Sequence, residues 1–346
     1  MIIKKIKIAV VGCGRISEIH FSIIKKLECE LVLKAVCDNN PLVLLDHEKK
    51  YNVKGYSNLE EMLNNEELDL VVLCTPSGLH SKQTCLIASK AINVITEKPM
   101  ATNLNDALNM IKACDENGVK LFVIKQNRNN PTVKALKRAI DEKRFGDIKL
   151  IQFNIFWTRP QSYYDQDEWR GTIDLDGGCL MNQASHYVDF IEWLFGPVEK
   201  VHCMSSTTRE IEVEDTAVLN IKWCNGAIGS MSVTLLTYPS NLEGSVTVIG
   251  EKGTVKISGQ AANQIEVWNF DDFKEYDKDI KALSYDIKSV YGFGHQLYYE
   301  NVIKVLNDKK LPDIDGNQGL QSLKIILAAY LSADKDKTIS FPVEIQ

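Results

Sequence analysis

Two short stretches of this chain carry side chains that could move a proton. The first is Glu97-Lys98-Pro99, at the end of the apolar run Val94-Ile95-Thr96. A lysine amine that is partly buried and near another positive charge loses its proton more readily than one in water, and can then serve as a base toward a hydroxyl. Taken alone, Lys-Pro fits a solvated side chain in a turn equally well. The second stretch runs Asp176-Gly177-Gly178-Cys179-Leu180-Met181-Asn182-Gln183-Ala184-Ser185-His186-Tyr187-Val188-Asp189. Read as a helix over 179–195, it sets Asn182, His186 and Asp189 at intervals of four and three on one face, with Met181, Val188, Ile191 and Leu194 as the buried stripe. A lone histidine on such a helix is more often structural; the neighbouring glycines and the amide one turn back argue for a group facing a cleft. Arg128, Arg159 and Arg170 add guanidinium forks that match carboxylate and phosphate geometry, although each could equally tie surface elements together.

The elements that must position these groups follow from periodicity. Short runs rich in Val, Ile and Leu at 6–11, 31–37, 69–74, 92–95 and 119–124 alternate with helical patterns at about 15–27, 41–50, 78–90 and 103–117. Strands apolar on both sides, alternating with helices, indicate a parallel doubly wound sheet. Its first strand runs into Gly12-Cys13-Gly14-Arg15-Ile16-Ser17, where two glycines permit a tight turn and let a pyrophosphate approach the helix N-terminus. Ser17 stands where a third Gly or Ala is usual. Asp38, 21 residues beyond Ser17 at the end of the second strand, can accept from ribose hydroxyls and would repel a 2′-phosphate. NAD is therefore the expected cofactor. In an open parallel sheet the carboxyl ends of the strands face the ligand, which directs Lys98 toward the nicotinamide.

Beyond about residue 145 the runs lengthen and alternate with period two, at 147–158, 197–206, 215–223, 227–236, 244–250 and 252–258. Turn signals at Asn225-Gly226 and Gly250-Glu251-Lys252-Gly253 separate several of them, so they read as one large, mostly antiparallel sheet carrying the 179–195 helix. Helices near 129–142, 294–308 and 317–333 complete an α+β domain. The expected division is 1–125 for dinucleotide binding and 126–346 for substrate and assembly, with ligands in a cleft between them. Apolar residues on both sides of strands such as Ala227-Ile228-Gly229-Ser230-Met231-Ser232-Val233 suggest that one sheet face is covered by another copy of the chain, in a dimer or tetramer.

Composition narrows the class. The 346 residues, 45% hydrophobic and 25% charged, suit two folded domains. With 40 Lys+Arg against 46 Asp+Glu the formal charge is −6, which argues against nucleic acid as a partner. Nine cysteines without a C-x-x-C pair fit a reducing compartment, and Cys74, His80 and Cys85 match no structural zinc spacing, so no metal is expected. The opening Met1-Ile2-Ile3-Lys4-Lys5 leads into a strand and a glycine turn rather than a cleavage site, and no apolar run approaches the roughly 20 residues that span a bilayer. A cytoplasmic location without membrane contact is the expectation.

In this order the motifs resemble the Gfo/Idh/MocA oxidoreductase family over essentially the whole chain: Gly-x-Gly at 12–14, Thr75-Pro76 with His80, Glu97-Lys98-Pro99, the glycine-rich approach to His186, and Gly250-Glu251-Lys252-Gly253-Thr254. The resemblance implies that Lys98 and His186 are acid/base groups around a sugar hydroxyl; which is the primary base stays open, with Lys98 favoured as the group nearest the reacting oxygen. It places the dinucleotide at Gly12, Gly14, Arg15, Ile16, Asp38, Thr75, Pro76, His80, Glu97, Lys98 and Gln126. Many members carry Asp one turn before the histidine; this chain has Asn182, so a carboxylate partner is missing there. Asn182-Gln183, Gln126-Asn127-Arg128-Asn129-Asn130-Pro131, Trp157-Thr158-Arg159-Pro160, Tyr163-Tyr164 and Trp169-Arg170-Gly171-Thr172 look like the WlbA/WbpB group, which oxidises C3 of UDP-N-acetylglucosaminuronate in bacterial surface-polysaccharide synthesis. For a nucleotide-sugar substrate this implies contacts from Lys98, Asn127, Arg128, Arg159, Tyr163, Tyr164, Arg170, Asn182 and His186. Another sugar or polyol in the same place, or a non-catalytic dinucleotide sensor, are the competing expectations.

Overall fold

A computed structural model describes residues 5–286, 294–308 and 311–343; Met1 to Lys4 lie outside them. The chain divides into two compact units, one formed by 1–125 with 295–320 and the other by 126–294 with 321–346.

In the first unit the order is β1 (Ile6–Val11), α1 (Ser17–Lys26), β2 (Leu31–Cys37), α2 (Pro41–Tyr51), β3 (Lys54–Tyr56), α3 (Leu59–Asn65), β4 (Leu70–Leu73), α4 (His80–Ala88), β5 (Asn93–Thr96), α5 (Leu104–Glu116) and β6 (Leu121–Val123). The six strands form a parallel sheet in the order β3-β2-β1-β4-β5-β6. Helix starts follow local chemistry. Asn40 accepts from Leu42 N at 3.0 Å with Pro41 in the first turn, and Asn103 accepts from Asp106 N at 2.9 Å. Because strand order reverses beside β1, the loops after β1 and β4 diverge there and open a crevice at the carboxyl edge. Ile8, Val10, Leu70, Val72 and Ile95 fill the core between the sheet and α1.

The second unit contains α6 (Pro131–Asp141), β7 (Ile148–Phe156), α7 (Gln161–Tyr164), α8 (Ser185–Phe195), β8 (Val198–Ser206), β9 (Thr216–Trp223), β10 (Ile228–Thr234), β11 (Glu243–Gly250), β12 (Gly253–Ser258) and β13 (Gln264–Phe270). After α9 (Gly294–Asp308) come α10 (Gly316–Lys335) and β14 (Ile339–Ser340). The eight-stranded sheet runs β13-β12-β11-β7-β10-β9-β8-β14, antiparallel throughout except for the β7–β10 pair. Ile151, Phe153 and Ile155 alternate inward along β7, and Trp223 donates to the Ile191 carbonyl of α8 at 2.9 Å, so α8 lies on that face. The opposite face is mainly polar: Ser230 Oγ donates to Gln152 Oε1 at 2.6 Å, with exposed Leu150, Ile228 and Ile249 among such groups. No helix among the described residues is long and apolar enough to cross a membrane.

Two expectations change. Helix α8 begins at Ser185, not at 179. Residues 179–183 form turns instead: Ala184 N donates to the Cys179 carbonyl at 2.8 Å, a step of five residues where an α-helix takes four, while Leu180 N donates to Glu214 Oε1 at 3.0 Å and Cys179 N to the Glu214 carbonyl at 3.0 Å. Residues 295–320, placed with the second domain by the sequence reading, belong to the first unit. Tyr298, Tyr299, Val302, Ile303 and Val305 of α9 are buried in its core, and Asp315 forms a bridge with Phe122.

Candidate active site

The glycine turn is built as a dinucleotide site requires. Gly12 has φ +86°, and a Cβ there would sit 2.8 Å from backbone atoms of Cys74 and Thr75, so only glycine fits. Gly14 has nothing within 4 Å of the place a Cβ would take, which leaves that side of the turn open. Ser17 fits as the third small residue: it is fully buried and its hydroxyl donates to the Gly14 carbonyl at 2.6 Å. Ile16, at the N-cap of α1, supplies no side-chain cap; Ser17 N donates to the Gly14 carbonyl at 3.1 Å and Ile19 N to that of Ile16 at 3.2 Å, so the positive end of the helix dipole at this turn is what favours an anion. Asp38 ties the second strand to the turn, Oδ2 accepting from Cys13 N at 2.7 Å and Oδ1 from Asn40 N at 2.8 Å. These contacts hold the carboxylate at the strand end, where ribose hydroxyls can reach its remaining lone pairs. Arg15 is exposed in the same turn.

Strands β4 and β5 end at the same carboxyl edge, which brings Thr75, Pro76 and Lys98 toward the turn. Thr75 Oγ1 donates to Gln83 Oε1 at 2.6 Å. His80 lies behind the site rather than in it. It is fully buried, its Nδ1 3.1 Å from the Pro99 carbonyl and its Nε2 2.9 Å from that of Thr75, and burial pushes its pKa down. It joins the two loops through their carbonyls. Glu97 is also turned inward: Oε1 lies 3.0 Å from His20 Nε2 and 3.7 Å from His295 Nε2, while Oε2 accepts from Lys98 N at 3.1 Å. Burial alone would raise the Glu97 carboxyl, but the two histidines outweigh it and hold the group well below the usual carboxylate range. Lys98 itself is half-buried.

In the second unit, His186 is buried at the start of α8, with Gln126 Nε2 3.0 Å from its Nε2. An amide nitrogen can only donate, so with the groups placed this way the ring accepts at Nε2 and carries its proton on Nδ1. Gln126 Oε1 and Asn127 Oδ1 are both buried without a hydrogen-bond partner among the described residues. Such acceptors are costly unless a ligand supplies donors, which fits the assignment of both residues to binding.

Asn182, in the turns before α8, donates through Nδ2 to Asp176 Oδ1, and Asp176 Oδ2 accepts from Gly171 N at 2.7 Å. The carboxylate expected to be missing from this region is therefore present as buried Asp176, but it orients Asn182 rather than occupying position 182. Asp189, counted on the polar face with His186, is taken by Arg128, whose Nε and Nη2 each reach a carboxylate oxygen at 2.7 Å. Ser322 donates to the same carboxylate at 3.0 Å and Trp193 lies 5.0 Å from the guanidinium. The Arg128 fork expected to read substrate thus braces α8. Arg159 and Arg170 instead flank the Tyr163 ring, at 5.3 and 4.5 Å, and Arg170 donates to Tyr163 Oη at 2.7 Å and to Asp167 at 2.8 Å. Tyr164 is buried against the Tyr163 ring, 5.1 Å between centroids, and its hydroxyl is pushed above its ordinary range by that burial. His20, His295 and Tyr299 escaped the sequence reading; a histidine one turn into α1 and a His-x-x-x-Tyr step in α9 are the only local signals.

Residues 6–125 match the family described as an NAD-binding Rossmann-fold oxidoreductase, and residues 137–344 match its C-terminal alpha/beta domain. The chain belongs to the Gfo/Idh/MocA oxidoreductase family. Among solved structures, the WlbA dehydrogenase of Bordetella pertussis is 48% identical, with TM-score 0.96, 99% of this chain and 99% of that chain covered; it was solved with NADH and UDP-GlcNAcA. The WlbA dehydrogenase of Chromobacterium violaceum, in complex with the same two molecules, is 48% identical with TM-score 0.94, covering 99% and 97%. D-apiose dehydrogenase of Paraburkholderia graminis is 26% identical over 97% of this chain and 90% of its own length. This Gfo/Idh/MocA member is an NAD-dependent dehydrogenase acting on a CH–OH group of a sugar.

Proposed function

We propose that the enzyme oxidises C3 of UDP-N-acetylglucosaminuronate. The observation that carries this reading is the 48% identity, across nearly the whole chain, to two WlbA dehydrogenases solved with NADH and UDP-GlcNAcA. NAD, when bound, supplies the acceptor for the carbon-bound hydrogen and its electron pair. Gly12 and Gly14 with the first turn of α1 hold its pyrophosphate, and Asp38 holds a ribose. Lys98, as the neutral amine, takes the proton of the C3 hydroxyl, and His186 is its partner in passing that proton on. Gln126 orients the His186 ring through the 3.0 Å contact at Nε2. Arg159 and Arg170, kept in place by the Tyr163 ring between them, read the negative charge of the diphosphate or carboxylate. Since the chain carries a formal charge of −6, that local positive pair must overcome an unfavourable overall field. The outer face of the large sheet, with Leu150, Ile228 and Ile249, packs against a second copy; light scattering that gives a clean 39.0 kDa species would refute such assembly.

The test is NADH formation at 340 nm with UDP-GlcNAcA, UDP-GlcNAc, myo-inositol and glucose 6-phosphate as separate substrates. The reading requires UDP-GlcNAcA to give the highest kcat/KM. Preference for any of the other three overturns it and keeps only the sugar dehydrogenase.

A further inference from the structure

Directly behind Lys98 lies a cluster that binding of a dinucleotide does not explain. Glu97, 5% exposed, stands between His20 of α1 and His295 of α9. His20 is completed on its other side by Tyr299 Oη, 2.7 Å from Nδ1. His295 is 2% exposed, and neither of its ring nitrogens has a hydrogen-bond partner among the described residues; Glu97 Oε1, at 3.7 Å, is beyond that reach. Burial pushes the His295 pKa down, Glu97 opposes that shift, and the charges of His20 and Lys98 add to it, so the ring lies within the electrostatic reach of the lysine. The groups that bear on Glu97 are thus His20 and His295, with the Lys98 backbone N–H on its second oxygen and the thiol of Cys74 and the hydroxyl of Tyr299 as neutral neighbours. A carboxylate desolvated this far is expensive unless it has partners, and its two short contacts, His20 on Oε1 and Lys98 N on Oε2, tie it to the base of the proposed catalytic lysine.

We propose that Glu97, held by His20 and His295, is the positioning residue of Lys98: one oxygen fixes the lysine backbone, and the buried negative charge sets how tightly the side chain keeps its proton. The inference rests on the reading of Lys98 as the base. It explains why the acid immediately precedes the lysine although its side chain points into the core. It also explains why helix α9 returns to the first unit, since that return delivers His295 and Tyr299 to the cluster.

The experiment titrates Lys98 directly. Lysines of the purified enzyme are reductively methylated with 13C-formaldehyde, the Lys98 resonance is assigned as the one lost in Lys98→Arg, and its chemical shift is followed with pH. In Glu97→Gln the titration should move down by about one pH unit, because an anion that favoured the ammonium form is gone. Glu97→Asp, which keeps the charge, should restore most of the shift. NADH affinity, read by fluorescence, should stay within about threefold of wild type in both, as expected if the fold is intact. His20→Asn, too short to reach the carboxylate, must also displace the titration, and it serves if Glu97→Gln does not fold. An unmoved titration in the folded variants overturns the proposal. Turnover by Lys98→Ala would instead remove the base assignment, whereas an inactive Lys98→Ala with an unmoved titration in Glu97→Gln removes this inference alone.

Discussion

The turn around Gly12 and the approach to His186, the two regions proposed to meet ligands, are made in opposite ways. At Gly12 each requirement is met within a few residues or by an adjacent strand. A positive φ, a small buried Ser17 and an Asp38 that accepts from Cys13 N are all products of one βαβ unit. Around His186 each requirement is met from a distance: Gln126 lies 60 residues earlier in the chain, Arg128 is 61 residues from Asp189, and Ser322 is 133 residues beyond it. The first construction tolerates change in the rest of the protein. The second depends on packing that many parts of the unit must agree upon.

The largest effect expected from this contrast concerns the two proton-handling groups. Lys98→Ala should lower kcat by about 10³-fold or more and His186→Ala by about 10²-fold, within the range for a general base, with NADH affinity held within a few-fold. A larger loss for His186→Ala would make the histidine the primary base and reverse the comparison.

Stability should discriminate the regions next. Asp189→Ala takes the bidentate partner from the largely covered Arg128 and should cost about 3 kcal/mol in urea unfolding, whereas Ser17→Ala, losing one hydroxyl bond to a local carbonyl, should cost about 1 kcal/mol. Equal costs would show that the His186 region is no more dependent on distant packing than the turn.

A smaller effect is expected at Asp38. Asp38→Ser should weaken NAD binding about tenfold, the equivalent of a lost charged hydrogen bond, and should improve relative use of NADP. Unchanged affinity for both would remove Asp38 from the site.

The smallest effect, and the one with a pH signature, is at Asn182. Asn182→Asp would set a second carboxylate against buried Asp176, and two such groups cannot both ionise cheaply. One of them then has a pKa raised above its unfolded value, so the variant's stability is retained at low pH and lost as pH rises through that folded pKa. The melting temperature of Asn182→Asp relative to wild type should therefore be lower at pH 8 than at pH 5. A difference independent of pH would show that Asp176 does not face position 182 closely enough to matter.

Much of the fold was legible because its signals are local. Strands apolar on both sides separated by helical periods specify a parallel sheet, and period-two runs with Asn-Gly and Gly-rich turns specify the second sheet. Short elements without a strong period, such as β3, α3 and β13, left no comparable trace. The helix expected from 179 failed for a physical reason: its apolar spacing was right, but the chain there closes over five residues, Ala184 N on the Cys179 carbonyl, while Glu214 anchors the N–H groups of Cys179 and Leu180. No pattern near residue 180 could announce a partner 34 residues away.

The sequence by itself determined the dinucleotide turn, the identity of the cofactor and the two sheet types, since each depends on residue type at short spacing; the acid/base pair of Lys98 and His186 is implied by the family resemblance. Tertiary structure alone decided that Arg128 braces Asp189, that Asp176 supplies the carboxylate beside Asn182, and that α9 carries His295 and Tyr299 back to Glu97. Those pairings come from burial. Once apolar faces such as that of α9 are driven into a core, the polar groups carried with them must find partners there, and chain distance places no limit on which ones they meet.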